Sequence, residues 1–326
     1  MIEINKKKIN LWSSVGSRAA FGLATLEIEK KIDDLYVVTC DVSTSAGLDR
    51  FRKQIPHKYV DVGISEQNMI GVASGLASEG FKVITTTFSP FQTLRCCEQI
   101  KVNLGYMETK IVMVGLASGL VLGSLGFTHC SIEDIGVLRS IPNLTIISPA
   151  DSLEVVKSLE ASINHKNSVY IRLTGGSPSP SVYHEDYKFE IGKGIKLTDG
   201  NEVVIFSSGA SVYECLEAAK ELEKESISTS VINMHTIKPI DKEIIISESK
   251  SKKLIVTVEE HNTIGGLGSA VAEILSNKGQ NSRLINLGIK DSYSKGGSYN
   301  FLKNLHGLSS EKIIESIVTN LKNNNG

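Results

Sequence analysis

The sequence lacks the features that mark several common classes of protein. Its 326 residues include five cysteines with no repeated C-x-x-C pattern, which argues against a disulfide framework or a zinc site. The formal net charge is -1, so nothing points to nucleic acid or to an anionic membrane surface. No apolar run approaches the length of a membrane span, and no apolar segment follows the basic residues near the amino terminus. The sequence has no P-loop either. From the cysteine pattern we expect a reduced, cytoplasmic compartment, and from the charge and the short apolar runs we expect no nucleic-acid or membrane partner.

The composition indicates a chain that can bury substantial cores. Hydrophobic residues make up 41% of it and charged residues 22%, which are ordinary values for a globular protein, and the length suggests two domains. Residues 174–186 concentrate Gly, Pro and Ser without any periodicity. We therefore expect one domain over residues 1–178 and a second over residues 187–326.

Strand-like and helix-like segments alternate along both halves. Strands are expected at residues 36–39, 82–86, 111–116, 145–148, 168–173, 203–207, 228–233, 254–258 and 283–287. Helices are expected at residues 12–31, 90–103, 133–139, 152–164 (capped by Asp151), 211–225, 268–276 and 311–321. This alternation predicts an α/β fold of two domains, each a mainly parallel sheet flanked by helices.

The segment at residues 60–80 is unusual, because a short strand is expected to lead directly into a helix that contains many very small residues. Apolar side chains recur at helical spacing, whereas Gly71 and Gly75 occupy other positions at a cost in helix propensity. Such a helix is expected to lie against something that approaches closely. Ser65 is placed to cap the helix and Glu66 to sit in its first turn. In an α/β sheet, ligands bind at such junctions. The ordinary alternative for Glu66 is an acid in the first helical turn that faces solvent.

This segment also resembles the part of transketolases that carries the glutamate needed to activate thiamine. The resemblance extends over nearly the whole chain, in the family's order and spacing. Its other motifs are SRAAFG at residues 17–22, DVSTS at 41–45, TFSPF at 87–91, GFTH at 126–129, EDI at 133–135, LRSIP at 138–142, SPAD at 148–151, EEH at 259–261 and GGLG at 265–268. Together they match only the C-terminal half of a full-length transketolase. The implied fold is a pyrimidine-binding domain followed by a transketolase C-terminal domain.

The resemblance implies roles for particular residues. Glu66 would hold a proton on the pyrimidine ring of thiamine diphosphate, a task that suits a carboxyl group in a poorly solvated pocket. Phe91 would stack on that ring, with Phe88 beside it, and Asp41 would face the cofactor. His129 would contact the substrate and take part in catalysis. The residues that would bind the sugar phosphate are Arg18 and Ser45. The ordinary alternatives are that Phe88 and Phe91 pack in the core and that His129 has a structural role.

Three positions depart from the family pattern. Leu125 stands where transketolases have an acid that contacts hydroxyls of the ketose donor. Ala117 and Gly175 stand where they have a histidine and an arginine that help to bind the substrate phosphate. The departures put the ordinary pentose phosphate substrates in doubt.

The family's diphosphate-binding half is missing from the chain. Thiamine enzymes hold the diphosphate through Mg²⁺, commonly with a Gly-Asp-Gly motif, which this sequence lacks. The resemblance therefore implies that Mg²⁺ and its ligands belong to a partner, an N-terminal transketolase subunit. With a self-dimer of this chain, the assembly would be an α2β2 heterotetramer acting on sugars or sugar phosphates.

Other functions remain open on the sequence alone. The β subunit of a 2-oxoacid dehydrogenase shares this architecture, although the stretch at residues 127–151 favours the transketolase side. A deoxyxylulose phosphate synthase fragment is possible within the same class. A non-catalytic partner subunit that keeps the fold without the chemistry is the alternative from a different class.

Overall fold

The structure, a computed structural model, describes residues 2–176, 178–277 and 282–323. The strands are β1 Leu35–Thr39, β2 Tyr59–Asp61, β3 Lys82–Phe88, β4 Val112–Leu116, β5 Leu144–Ile147, β6 Ser168–Arg172, β7 Ile195–Thr198, β8 Val203–Ser207, β9 Thr229–Asn233, β10 Thr236–Lys238, β11 Leu254–Asn262 and β12 Arg283–Ile289. The helices are α1 Lys6–Glu29, α2 Asp49–Gln54, α3 Glu66–Ser78, α4 Ser89–Gln92, α5 Cys97–Gln99, α6 Asp134–Arg139, α7 Ser152–Ile163, α8 Ser211–Lys224, α9 Lys242–Ser249, α10 Leu267–Ser276, α11 Tyr299–Leu305 and α12 Ser310–Lys322. None of these described helices combines the length and apolar composition needed to cross a bilayer.

Two sheets form the scaffold, as the alternation of elements predicted. The first has the order β10-β5-β6-β4-β3-β1-β2, and the second has the order β12-β11-β8-β9-β7. Every pairing between adjacent strands is parallel except that of β10 with β5 and that of β7 with β9, each at an edge of its sheet. Central strands such as β4 and β8 are buried throughout, because helices cover both faces of each sheet. The predicted fold class is therefore confirmed.

The second half of the chain contributes a strand to the first sheet. β10 pairs antiparallel with β5, and the amide of Ser148 donates to the carbonyl of His235 at 2.7 Å. One apolar core also runs continuously between the sheets, from Met113 on β4 to Phe206 on β8. Pairing and packing together hold the two sheets against each other. The domain limits at residues 178 and 187 stay a prediction.

Helix α1 differs from its predicted span of residues 12–31. It begins at Lys6, after Asn5 caps it by accepting from the amide of Lys8, and it breaks at Gly16. Gly16 has φ 79°, a left-handed conformation that glycine adopts without steric cost. A new helical segment therefore starts at Ser17, next to Arg18.

The predicted helix at residues 90–103 is wrong as a single element. It is divided into α4, α5 and a π-helix, Ile100–Tyr106. The hydroxyl of Thr93 donates to the carbonyl of Ser89, and Gln92 donates to Thr85 on β3. These side-chain bonds fix a turn after α4 in place of a continuous helix. The turn carries Arg95.

Candidate active site

The candidate site lies at one edge of the first sheet. Strands β1, β2, β3 and β4 are mutually parallel, so their carboxyl ends meet at that edge. Asp41 follows β1, Glu66 follows β2, Phe88 ends β3, and the loop after β4 leads to His129. Parallel strands thus bring together residues that are far apart in sequence, at the edge where α/β sheets bind ligands.

Glu66 is a buried carboxylate in the first turn of α3. Its side chain is 4% exposed, and its Oε2 accepts from Nη1 of Arg95 at 2.8 Å. Ser65 occupies the N-cap position, but its hydroxyl donates backwards to the carbonyl of Val62 and makes no capping bond. The expected position of Glu66 is observed, whereas the expected capping by Ser65 is wrong, because its side chain is turned towards Val62 and accepts no bond from the first amides of α3.

Three rings form a cluster beside Glu66. The Phe91 ring centroid lies 6.5 Å from that of Phe88 and 5.4 Å from that of His129, both in edge-to-face geometry. Phe88 and His129 are 6.4 Å apart. The guanidinium carbon of Arg95 lies 4.1 Å from the Phe91 centroid, over the ring. The site therefore combines a carboxylate, a planar cation, two apolar rings and an imidazole whose Nδ1 is 3.0 Å from the Thr128 hydroxyl.

Sequence reasoning missed two residues at this edge, Arg95 and Asp61. Asp61 ends β2, and its Oδ1 accepts from the amides of Asp41 and Gly63. It thus ties the end of β1 to the chain that enters α3. Asp41 itself is exposed and has φ 54°, so its backbone is fixed while its side chain faces solvent. The alternation of Asp61 with Val60 and Val62 placed it on the polar side of a strand, but gave no sign of this bridging role.

Arg18 and Ser45 line a separate depression of about 250 Å³ between α1 and the loop after β1, together with Ser17, Thr44 and Gly176. The helical segment that restarts after Gly16 directs its first turn into this depression. Gly22 allows α1 to approach the loop, because a Cβ at that position would lie 2.1 Å from the carbonyl oxygen of Gly47. One arginine, several hydroxyls and a helix start suit an anionic group.

The three departures from the family pattern have different structural settings. Leu125 lies in a 3-10 turn, Gly123–Leu125, and is 59% exposed. Ala117 is buried and has φ 52°. Gly175 has φ 83°, and a Cβ there would lie 3.2 Å from Cβ of Ala210. An arginine at residue 175 would be strained in this backbone, so a guanidinium is not readily restored at that position.

The thiols near the site are poor nucleophiles. Cys40 and Cys96 are buried, and burial raises the pKa of each to about 12. Burial likewise raises the pKa of Cys130 to about 11. Because the thiolate is the reactive form, these cysteines are neutral packing residues at ordinary pH.

A second opening lies away from this site, and the described residues contain no candidate metal cluster. Within the described ranges, no group of three or more His, Cys, Asp or Glu residues is arranged to hold a metal ion. A cavity of about 690 Å³ is lined by Ile28 on α1, Lys157 on α7 and Tyr187. It lies where α1 and α7 end and lead into β1 and β6, at the amino ends of the strands. The candidate site is at the opposite edge, where the strands end and Glu66 lies.

Apart from β10, the two sheets correspond to two family models. Residues 13–177 match the family model described as the transketolase pyrimidine binding domain, and residues 192–313 match that of the transketolase C-terminal domain. The chain belongs to the transketolase family and corresponds to its C-terminal half.

Similar proteins agree with that assignment. The chain is 37% identical over 309 residues to a putative transketolase C-terminal section from Methanocaldococcus jannaschii, covering 94% of this chain and 96% of that protein. It is 35% identical to a 6-deoxy-6-sulfo-D-fructose transketolase subunit from Clostridium sp., covering 91% and 92% of the two chains. A 1-deoxy-D-xylulose-5-phosphate synthase from Caldanaerobacter subterraneus is 33% identical, and the match covers 94% of this chain but 49% of that protein.

A solved structure is also similar. A split gene transketolase, described as an inactive beta4 tetramer, superposes with a TM-score of 0.86 at 32% identity. The match covers 94% of this chain and 99% of that one. The two domains of this chain therefore account for nearly the whole length of that solved chain.

Proposed function

We propose that this chain is the C-terminal subunit of a split, thiamine diphosphate-dependent transketolase that transfers a two-carbon ketol unit between sugars. The observation that carries the proposal is the Glu66 carboxylate, buried at the carboxyl edge of the sheet and joined to the ring of Phe91 through the guanidinium of Arg95. A transketolase needs a carboxyl group against the pyrimidine nitrogen and a flat apolar surface for the ring, and the presence of Glu66 and Phe91 at this edge supports the proposal.

The donor set fits the aminopyrimidine half of the cofactor. Thiamine diphosphate, when bound, supplies the acidic thiazolium carbon that its own aminopyrimidine deprotonates. Glu66 would hold the proton on the pyrimidine nitrogen, and its 4% exposure keeps competing water away from that hydrogen bond. Phe91 would stack on the pyrimidine, with Phe88 supporting it edge-on. Asp41 would face the cofactor from the end of β1.

His129 and the Arg18 depression would serve the sugar. The ring of His129 lies in edge-to-face geometry with both phenylalanine rings, and we propose that it contacts a substrate oxygen. Its role would be to hold or transfer a proton at that oxygen. Arg18 and Ser45 would bind the anionic end of the substrate.

The diphosphate and Mg²⁺ would be held by a partner chain. Two exposed faces near the site support docking. On α3, Gly71 and Gly75 face open space, where a Cβ would meet no atom within 4 Å. Next to α3, the π-helix exposes Val102 and Tyr106, the latter at 85%. Small and apolar residues side by side permit close approach by another chain, here the N-terminal subunit or a second copy in an α2β2 assembly.

The substrate is proposed to differ from the ordinary pentose phosphates. Leu125 offers no acceptor for a donor hydroxyl, and Ala117 and Gly175 offer no charge to a phosphate. One similar protein is named for a sulfonated deoxy sugar, which supports variation of the sugar substrate within the family. We propose a deoxy, non-phosphorylated, sulfonated or nucleotide-linked sugar as donor or acceptor.

Calorimetry of thiamine diphosphate binding tests the split-enzyme proposal. The chain alone is expected to bind the cofactor weakly or not at all, because the described residues offer no Mg²⁺ ligand cluster. Its complex with a subunit that bears the diphosphate-binding domain should bind it tightly, and only with Mg²⁺ present. Tight, Mg²⁺-dependent binding by the isolated chain would refute the proposal.

A further inference from the structure

Arg95 makes two contacts at the candidate site with one exposed side chain. Its Nη1 donates to Oε2 of Glu66 at 2.8 Å, and its guanidinium carbon lies 4.1 Å from the centroid of Phe91, over the ring. One planar, nitrogen-bearing group therefore bridges the carboxylate and the aromatic face at the same time.

An aminopyrimidine bound to these two residues would make the same pair of contacts. It is planar, it presents a nitrogen to the carboxylate, and it stacks on an aromatic ring. We propose that Arg95 is a placeholder, which occupies the aminopyrimidine position until the cofactor displaces its guanidinium. This inference rests on the proposed function, since it takes Glu66 and Phe91 as the pyrimidine site.

Burial of Glu66 explains why a placeholder is useful. Its side chain is 4% exposed, and an ionised carboxylate removed from water without a partner is costly. A guanidinium gives the carboxylate a hydrogen-bonded counter-charge and covers the apolar ring, so the pocket keeps its shape without cofactor.

The setting of Arg95 allows its side chain to leave while its backbone stays. The side chain is 43% exposed, and its turn between α4 and α5 opens to solvent. The carbonyl of Arg95 accepts from Nε2 of Gln67 at 3.2 Å, which anchors the turn to α3. A long side chain on a fixed backbone can rotate into water without moving the helices.

A placeholder weakens apparent cofactor binding in proportion to its occupancy. If about nine-tenths of the molecules hold Arg95 over Phe91, the apparent Kd is raised about tenfold above its intrinsic value. Removing the guanidinium should therefore tighten binding by a similar factor. If Arg95 instead helped to hold the cofactor, removing its guanidinium would weaken cofactor binding.

The experiment measures the Kd of thiamine diphosphate with Mg²⁺ by calorimetry, in the complex of the full chain with its diphosphate-binding subunit. Arg95→Met keeps length without charge or planarity and should tighten binding about tenfold. Arg95→Lys keeps the charge but not the planar fork and should fall between Arg95→Met and the wild type. Arg52→Met removes another partly exposed arginine, paired with Asp49 on α2, and should leave the Kd unchanged.

A second measurement separates failure of this inference from failure of the proposed function. The probe is 4-amino-5-hydroxymethyl-2-methylpyrimidine, added to the isolated chain and followed by ligand-observed NMR. Stronger binding to the Arg95→Met chain than to the wild type supports the placeholder. Cofactor binding that is unchanged or weakened in the Arg95→Met complex overturns the placeholder and leaves the proposed function intact. Absence of cofactor and pyrimidine binding in the wild type and every variant overturns both.

Discussion

Arg172 donates from Nε to Oδ2 of Asp134 at 2.8 Å, and both side chains are almost completely buried. Nη2 of Arg172 also donates to the carbonyl of Ser131 and to that of Glu260, which lies on β11 in the second sheet. The same Asp134 oxygen accepts from the hydroxyl of Tyr170 at 2.7 Å. One buried ion pair therefore links β6 and α6 of the first domain to β11 of the second.

Replacing Asp134 by asparagine should destabilise the chain strongly. Asp134→Asn keeps the size of the side chain but leaves the Arg172 charge buried without its counter-charge, a loss of roughly 3–5 kcal/mol in the free energy of unfolding. Urea denaturation of the isolated chain measures it. Glu217→Gln removes an exposed partner of Lys220 and should cost less than about 0.5 kcal/mol. Equal effects of the two substitutions would contradict the role given to the buried pair.

A histidine at the junction of the sheets should make stability fall in mild acid. His235 precedes β10, is fully buried, and its ring centroid lies 4.3 Å from that of Phe189. Burial lowers the pKa of His235 from 6.5 to about 4, despite the opposing charge of Asp241. The unfolded chain then binds more protons than the folded one between these two values, so stability falls as the pH drops from about 6.5 towards 4.

The matched variant for this pH effect is His235→Gln, which cannot take up a proton. Between pH 7 and pH 5, the wild type should lose about 2 kcal/mol of unfolding free energy more than the variant does. Urea denaturation at a series of pH values measures both slopes. His57→Gln, at an exposed position, should follow the wild type closely. Parallel slopes for wild type and His235→Gln would show that the imidazole stays uncharged in both states or charged in both.

Much of the fold and part of the site follow from the sequence, for a simple physical reason. Alternating apolar strands and amphipathic helices specify parallel sheets, and the carboxyl ends of parallel strands meet at one edge. The structure places Glu66, Phe88 and His129 at or after the carboxyl ends of three such strands, and the rings of Phe88 and His129 lie 6.4 Å apart. The resemblance to transketolases, which the family models confirm, added roles that no periodicity contains.

Other features depend on tertiary contacts that local patterns do not encode. β10 is a short strand whose pairing with β5 is far away in sequence, so no local pattern predicts it. The sequence places Arg95 within a predicted helix. In the structure, the turn after α4 brings its side chain onto Phe91 and Glu66. The left-handed conformation of Gly175 could be suspected from glycine alone, but its contact with Ala210 could not.

Glu66→Gln tests the proposed catalytic centre. Glutamine keeps the shape of the side chain but cannot share a proton with the pyrimidine in the same way. We expect turnover in the reconstituted complex to fall on the order of 10²-fold or more, as when a general acid–base group is removed. Glu79→Gln changes an exposed glutamate at the other end of α3 and should retain activity. Steady-state kinetics at saturating cofactor give both values, and wild-type turnover by Glu66→Gln would remove this residue from the mechanism.

The last expectation concerns the substrate and rests on Leu125, Ala117 and Gly175. A phosphate dianion in a partly desolvated pocket needs several charge-assisted donors, each contributing roughly 1.5–3 kcal/mol. Loss of an arginine and a histidine should weaken phosphate binding by about 10²-fold or more, unless the partner chain supplies replacements. The left-handed backbone at Gly175 makes an arginine there costly. The fold therefore disfavours a phosphate-binding arginine at this position.

Comparing kcat/KM values of the reconstituted complex checks this expectation. One measurement uses xylulose 5-phosphate with ribose 5-phosphate, and the others use deoxy, non-phosphorylated, sulfonated and nucleotide-linked sugars. We expect higher kcat/KM values with these other sugars than with the pentose phosphates. Leu125→Asp restores a hydroxyl acceptor at an exposed position, where a substitution costs little stability, and should shift preference towards pentose phosphate donors. Ser124→Asp places the same charge on the adjacent exposed residue as a control. If wild type turns over the pentose phosphates at about 10⁴ M⁻¹s⁻¹ or better, as ordinary enzymes do with their own substrates, then the three replacements are neutral and the altered substrate is wrong.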